Sequence, residues 1–113
     1  MTPSQPAVSR PARAIRLTRA QSTAILKALA DPKRFELLER IAKATCPMSC
    51  SDARSSLAIS PATLSHHIKE LESAGLITVA REGKFHFLSI KPGVLESLAT
   101  TLESLTSAAC KLR

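Results

Sequence analysis

The change of hydrophobic period at Gly75 constrains the fold of this chain more than any other feature of its sequence. Ser60-Pro61 indicates a helix start, because serine caps free N–H groups and proline suits the first helical position. Gly75 is typical of a helix end. Beyond it, apolar residues alternate along 77–81 and 84–90, with Glu82-Gly83 as a two-residue turn. The sequence therefore predicts a helix followed by a β-hairpin.

Three shorter amphipathic segments precede this helix. The first follows Thr18, the second starts at Asp31-Pro32 and runs to about Ala44, and the third starts at Ser51-Asp52. Only three or four residues separate the third helix from the fourth, which predicts a helix-turn-helix, and the hairpin extends it to a winged helix. The predicted inward residues are Ile25, Leu26, Leu29, Phe35, Leu38, Ile41, Ala42, Ala53, Leu57 and Ala58.

The last segment, about 92–111, repeats its apolar residues in a heptad register. This stripe packs on its own domain or pairs with a second subunit, and the second alternative is favoured because the first four elements supply each other with apolar faces. We predict a mainly α winged helix-turn-helix with a small β-hairpin, in the order α-α-α-α-β-β-α, that forms a homodimer through its first and last helices. The predicted interface residues are Ile25, Leu29, Leu95, Leu98, Leu102, Leu105 and Ala109.

Charge and length restrict the function. The 113 residues suffice for one domain, 15–113, behind a basic arm, 1–14, whose prolines predict flexibility. A net charge of +7 favours nucleic acid or an anionic membrane surface as partner, although four arginines before residue 20 supply more than half of it. No apolar run approaches the roughly 18 residues of a membrane span. Three cysteines without an export signal predict a cytoplasmic protein.

The fourth helix has a face suited to DNA. At about 100° per residue, Leu64, Ile68 and Leu71 form its buried stripe, and the opposite side carries hydroxyls, an imidazole, a methyl group and a lysine. His67 borders the core, where a hydrogen bond to a backbone group is expected. The alternative to DNA contact is that the polar side chains of this helix are merely solvated and that the charged residues at the hairpin are ordinary turn residues. The predicted DNA-binding residues are Ala62, Thr63, Ser65, His66, Lys69 and, at the wing, Arg81 and Lys84.

These residues resemble a known family. The run LADPKRFELL at 29–38, SPATLSHHIKEL at 60–71, AGLI at 74–77 and REGK at 81–84 are similar to the ArsR/SmtB bacterial repressors. The resemblance covers about 20–110. It implies a homodimer that binds imperfect palindromes in double-stranded DNA near its own promoter and is released by an inducer. By motif position, Thr63, Ser65 and His66 match the places that contact bases and phosphates in that family.

The chain departs from the family at its metal sites. Ser49 and Ser51 stand where metal-sensing members have a Cys-x-Cys pair, and hydroxyls are poor ligands for thiophilic ions. The zinc-binding positions of the last helix are also replaced, so no metal or cofactor is predicted. Three thiols remain as candidate sensors, Cys46, Cys50 and Cys110. Three roles are open for these thiols: inert small apolar groups, sensors of oxidants or persulfides, or ligands of a soft metal or metalloid inducer. Cys46 and Cys50 precede a predicted helix N-terminus, which would favour a thiolate.

Two other functional classes are alternatives for this sequence. A winged helix that binds a protein through its leucine stripe is the alternative to a DNA-binding regulator. An enzyme has little support, because His66-His67 is an isolated histidine pair and the three glycines form no phosphate-binding loop. We therefore predict a non-enzymatic transcriptional repressor with no membrane partner.

Overall fold

The computed structural model describes residues 15–107. The described residues divide into two compact units, 19–91 and a second made of 15–18 with 92–107. No helix in the described part is long and apolar enough to cross a bilayer. In chain order the elements are α1 (Arg19–Leu29), α2 (Pro32–Lys43), β1 (Met48–Ser49), α3 (Cys50–Leu57), α4 (Pro61–Ser73), β2 (Ile77–Glu82), β3 (Phe85–Ile90) and α5 (Val94–Ser107).

Helix α2 begins where its capping residues place it. The carboxylate of Asp31 accepts hydrogen bonds from the backbone N–H groups of Lys33 (2.9 Å) and Arg34 (3.1 Å), and Pro32 occupies the first helical turn. These bonds satisfy donors that the helix itself leaves free. The cap therefore fixes both the start of α2 and the direction in which its next side chains point.

The inward face of α2 differs from the predicted one. The buried residues are Arg34, Leu37, Leu38 and Ile41, which at about 100° per residue form a single stripe. Phe35 lies roughly 100° from the centre of that stripe, and it is 42% exposed. Ala42 is exposed as well. The prediction that Phe35 and Ala42 face inward was therefore wrong. The buried Arg34 takes a place in the stripe, so the stripe is turned away from the positions that hydrophobicity alone selects.

Helix α1 contributes Ile25 and Ala28 to the core. Leu26, which the spacing placed inward, is 49% exposed, and Leu29 is half-buried. Ile25 is fully buried within the protomer, so the prediction that it forms a dimer contact is corrected: its side chain has no surface left to offer a second subunit.

A short strand, β1, was not predicted. Met48 pairs with Leu88 and Ser49 with Phe87, which gives an antiparallel sheet in the order β1-β3-β2. Two residues are too few for an alternating pattern to show in the sequence. Ser49 then caps α3 by accepting a hydrogen bond from the N–H of Asp52 (3.1 Å), so this helix begins ahead of the predicted Ser51.

The turn between α3 and α4 begins with a left-handed residue. Ala58 ends α3 with a φ of 53° and is exposed, so its predicted inward position was wrong. An alanine in this conformation is uncommon, and the turn it makes is what aims α4 away from α3. Ser60 then caps α4 by accepting the N–H of Thr63 (3.1 Å).

Helix α4 ends at a glycine turn. The N–H of Gly75 donates to the carbonyl of Glu72, and that of Leu76 donates to Leu71, both at 3.0 Å. This is the double hydrogen bond of a Schellman motif, which requires the positive φ of 81° that Gly75 adopts. Leu71 and Leu76 are fully buried on either side of it. The chain thus leaves the helix directly into β2.

The hairpin turn lies one residue later than predicted. Glu82 pairs with Phe85, so the two-residue loop is Gly83-Lys84, with Gly83 at a φ of 63°. Glycine at the first position of such a loop permits the turn that matches strand twist. The wing consequently presents Lys84 at its tip.

Helix α5 starts after Gly93, whose N–H donates to the side chain of Glu96 (3.0 Å). Within the same unit, the hydroxyl of Ser97 donates to the carbonyl of Ile15 (2.6 Å). Leu98 is buried in the protomer, so its predicted dimer contact is corrected for the same reason as that of Ile25. Leu95 is half-buried, and Leu102 and Leu105 are 46% and 66% exposed. The arm 1–14, Ala109, Cys110 and Leu112 lie outside the described residues.

Candidate nucleic-acid interface

The seven residues predicted to bind DNA are all exposed. On α4, Ala62, His66 and Lys69 lie opposite the buried Leu64 and Leu71, whereas Thr63 and Ser65 lie on the flanks; the other two residues lie on the wing. The inward and outward faces of α4 therefore agree with the angular analysis, whereas contact with DNA stays a prediction. The exposed set is Ala62, Thr63, Ser65, His66, Lys69, Arg81 and Lys84.

The start of α4 is open to close approach. Pro61 and Ala62 are small and exposed, and the first turn carries no acidic residue. The hydroxyl of Ser60 donates to that of Thr63 (2.9 Å), which fixes the threonine hydroxyl at the helix start while leaving its own proton for another acceptor. The partial positive charge of a helix N-terminus adds to this, so the end of α4 is suited to a phosphate oxygen.

Arg81 on the wing is positioned by α4. Its Nη2 lies 3.5 Å from Oε1 of Glu72, and both side chains are partly exposed. An ion pair of this kind contributes little stability, roughly 0–1 kcal/mol. The ion pair instead orients Arg81: it holds the guanidinium beside α4 and leaves most of the guanidinium N–H donors available to a partner.

His67 is anchored by a buried arginine. Nε of Arg34 donates to Nδ1 of His67 (3.3 Å), and Nη1 of the same guanidinium donates to the carbonyl of Ala28 (3.2 Å). The expected backbone partner of His67 was wrong: the imidazole accepts from a side chain. The contact joins α4 to α2 and to the end of α1, and Arg34 was missed because charged residues are seldom buried unless they are paired.

This contact requires a neutral imidazole. Burial lowers the pKa of His67, and the positive charges of Arg34 and His66 lower it further against the opposing effect of Asp31. A protonated ring has no acceptor lone pair at Nδ1 and would place a second cation beside the guanidinium. The link between α2 and α4 is therefore sensitive to acid.

Of the two described thiols, Cys50 lines a cavity together with Lys69 and Arg81, whereas Cys46 does not line it. Cys46 is exposed and Cys50, the first residue of α3, is half-buried; neither forms a disulfide. Burial raises the pKa of the Cys50 thiol, with Arg81 acting in the opposite direction. A thiolate at the helix start stays a prediction for Cys50, with desolvation opposing it and the nearby positive charge favouring it. No group of three His, Cys, Asp or Glu side chains in the described residues could hold a metal.

Comparison with known proteins identifies the family. A family profile described as a helix-turn-helix domain matches residues 29–80. An arsenical resistance operon repressor from Staphylococcus xylosus is 32% identical over 92 residues, which cover 77% of this chain and 86% of the relative. The chain belongs to the ArsR family. A second such repressor, from Staphylococcus aureus, is 29% identical over 74% of this chain and 79% of its own length.

Solved structures agree with this ArsR-family assignment. An ArsR-like transcriptional regulator from Rhodococcus sp. RHA1 superposes with a TM-score of 0.69 at 25% identity and covers 78% of this chain and 81% of its own. A homodimeric winged helix-turn-helix domain from Mycobacterium bovis shares the fold, with a TM-score of 0.60 at 21% identity over 78% and 79% of the two chains. The winged helix-turn-helix prediction is thus confirmed.

Family membership also decides the functional class. ArsR-family proteins are DNA-binding transcriptional regulators, so the chain is a regulator of the repressor type. The prediction that it is not an enzyme is confirmed on the same ground. Contact of the polar face of α4 and of the basic wing with DNA stays a prediction for this ArsR-family chain.

We expect stability to fall as the pH is lowered from 7.5 to 5.5. The pKa of His67 is below its ordinary value of 6.5 in the folded state, so the unfolded chain binds its proton first, and folding loses free energy as the pH falls through that value. Urea unfolding at several pH values measures this. His67→Gln keeps an acceptor without a titration and should flatten the dependence, whereas the exposed His66→Gln should not. Equal slopes for both variants would contradict the assignment.

Proposed function

We propose that this chain represses transcription as a homodimer bound to a pseudo-palindromic operator. In each protomer α4 enters a major groove and the wing reaches the adjacent minor groove. The observation that carries the proposal is the exposure of the acid-free start of α4 at Ala62, of Lys69 later on the same helix, and of Arg81 and Lys84 on the wing. The proposal includes a cytoplasmic location, because that is where an operator is accessible.

The residues of this surface divide by chemistry. The imidazole of His66 and the hydroxyls of Thr63 and Ser65 reach base edges, where they exchange hydrogen bonds, and the methyl of Ala62 suits a thymine methyl group. Lys84 at the tip of the wing carries a compact charge suited to phosphate. Because α4 supplies most of the base contacts, it determines the operator sequence, and the wing supplies affinity for any sequence.

The outer part of α5 supplies the dimer contact. Leu102 and Leu105 are 46% and 66% exposed, and they continue the heptad spacing that favours a second helix. Exposed leucines on one stripe are what an interface buries. A Mycobacterium bovis neighbour of the same fold is described as homodimeric, which supports a dimer here. In the dimer, the two leucines of each protomer face those of its twin.

Release by an inducer completes the proposed cycle. The staphylococcal relatives are described as arsenical resistance operon repressors, and arsenite prefers thiol ligands. In the described part of this chain the thiols are Cys46, which is exposed, and Cys50, which is half-buried and whose pKa is raised by burial. The burial of Cys50 favours an inert role for that thiol, and an inducer that acts elsewhere.

Footprinting on the chain's own upstream region tests the proposal. We expect protection of two half-sites about one DNA turn, 34–36 Å, apart, and a dimer in analytical ultracentrifugation. Leu102→Glu with Leu105→Glu should yield a monomer with a weak footprint. Sedimentation as a monomer by the wild type, or no protected site at submicromolar protein, would count against the proposal.

His66 and Lys84 should differ in what their loss does. His66→Ala should reduce binding to the operator by about 1–3 kcal/mol with little effect on random DNA, since a base contact is lost. Lys84→Ala should weaken binding to both and lower the slope of log affinity against log salt by about 1. Fluorescence anisotropy at several salt concentrations measures both. If the two variants behave alike, the assignment of sequence recognition to α4 is wrong.

The thiols can be tested together. Gel shifts with As(III), Cd(II), Zn(II), peroxide and polysulfide are compared for the wild type and a variant with Cys46, Cys50 and Cys110 changed to Ser. Because the burial of Cys50 favours an inert role, we expect the two proteins to bind DNA alike under every condition. Release of the wild type but not of the variant would establish thiol sensing instead.

A further inference from the structure

An open cavity of about 440 Å³ lies between α3, α4 and the hairpin. Its charged and ionisable lining comes from four elements and is mostly basic. Glu72 is the acidic residue among the lining side chains, and it is paired with Arg81 at 3.5 Å. We call this cavity the wing cleft, and its basic lining residues are Arg54 from α3, Lys69 from α4, Arg81 from β2 and His86 from β3.

The register of the hairpin explains why the wing contributes two of these groups. Arg81 and His86 are directly paired across β2 and β3, so both side chains lie on the same face of the hairpin. Val79 lies two residues before Arg81 and lines the cleft as well, as the alternation of side chains along a strand requires. This face of the wing therefore looks across the cleft at α3 and α4.

The cleft lies where a DNA strand has to pass. This step rests on the proposed function, in which α4 occupies a major groove and the wing reaches the adjacent minor groove. Adjacent grooves of a duplex are separated by one sugar-phosphate strand, so a protein that occupies both must let that strand run between its two elements. In this chain the space between α4 and the wing is the wing cleft.

We propose that the wing cleft binds the phosphate oxygens of the DNA strand between the two grooves, and that Arg54 and His86 are phosphate contacts. Neither was identified from the sequence. Both are exposed and line the cleft from opposite sides. The fork of guanidinium N–H groups fits a phosphate, and the imidazole donates an N–H to the same strand. Arg54 thus gives α3 a role in DNA binding beyond supporting α4.

The first test is the salt dependence of DNA binding by the homodimer. Arg54→Ala should lower the slope of log affinity against log salt by about 1 and weaken operator and random DNA alike. Arg54→Lys should restore the slope, because the charge returns. His86→Ala should weaken both DNAs to a similar extent. The control is Lys43→Ala, which removes one exposed charge at the end of α2, outside the cleft, and should leave affinity and slope unchanged.

The second test uses the thiol that lines the cleft. In a Cys110→Ser background, alkylation by iodoacetamide is followed by mass spectrometry at Cys50, which lines the cleft, and at the exposed Cys46, which does not. Operator DNA should slow alkylation of Cys50 in proportion to the bound fraction and leave Cys46 unchanged. If Cys50 does not react in the free protein, the salt slopes decide.

The outcomes separate this inference from the proposed function. A footprint with an unchanged slope in Arg54→Ala, or a footprint without protection of Cys50, would overturn the cleft assignment and leave the operator proposal intact. The absence of any footprint would overturn both. Inorganic phosphate, compared with chloride at equal ionic strength, is the third arm: protection of Cys50 by phosphate and not by DNA would assign the cleft to a free anion.

Discussion

The hydrogen bond from Arg34 to His67 is the interaction on which the orientation of α4 depends. A guanidinium that is 9% exposed is stable in a protein interior only when its donors are satisfied. Here they meet an imidazole on α4 and a carbonyl at the end of α1. Removing the imidazole would leave a buried donor unpaired, at a cost of about 1–3 kcal/mol. The polar link therefore helps to fix the rotation of α4, together with the buried Leu64 and Leu71.

That rotation has a functional consequence. His66 and His67 are adjacent in sequence, yet one is exposed and the other is buried. Because about 100° separates neighbouring helical residues, burial of His67 against α2 turns His66 outward with Lys69 and Ser65. A core contact thus determines which side chains face the groove. Through this coupling, the acid-sensitive contact between Arg34 and His67 influences DNA binding as well as stability.

Much of this arrangement was predictable from the sequence because its signals are local. Ser60-Pro61 and Gly75 mark the ends of α4 through hydrogen bonds to residues at most five positions away, and such bonds leave a recognisable residue pattern. The outward face of α4 followed from helical geometry alone. The general position of the hairpin followed from the two-residue period, although its turn lies one residue later.

The features that escaped prediction depend on partners distant in sequence. Arg34 is buried because it donates a hydrogen bond to His67, which lies 33 residues later in the sequence. Strand β1 forms because it pairs with the edge of β3. The basic lining of the wing cleft combines side chains from α3, α4 and the hairpin.

The cleft shows why net charge was a poor guide to the site. The chain carries +7 in total, and more than half of that comes from four arginines before residue 20. In the structure the cations that line the cleft lie on three separate elements, α3, α4 and β2, and the acidic residue among them, Glu72, is paired with Arg81. A phosphate group is attracted mainly by the cations close to it, because salt screens interactions between exposed charges that are more than about 10 Å apart. The local arrangement of a few cations, more than the total, determines where a polyanion binds.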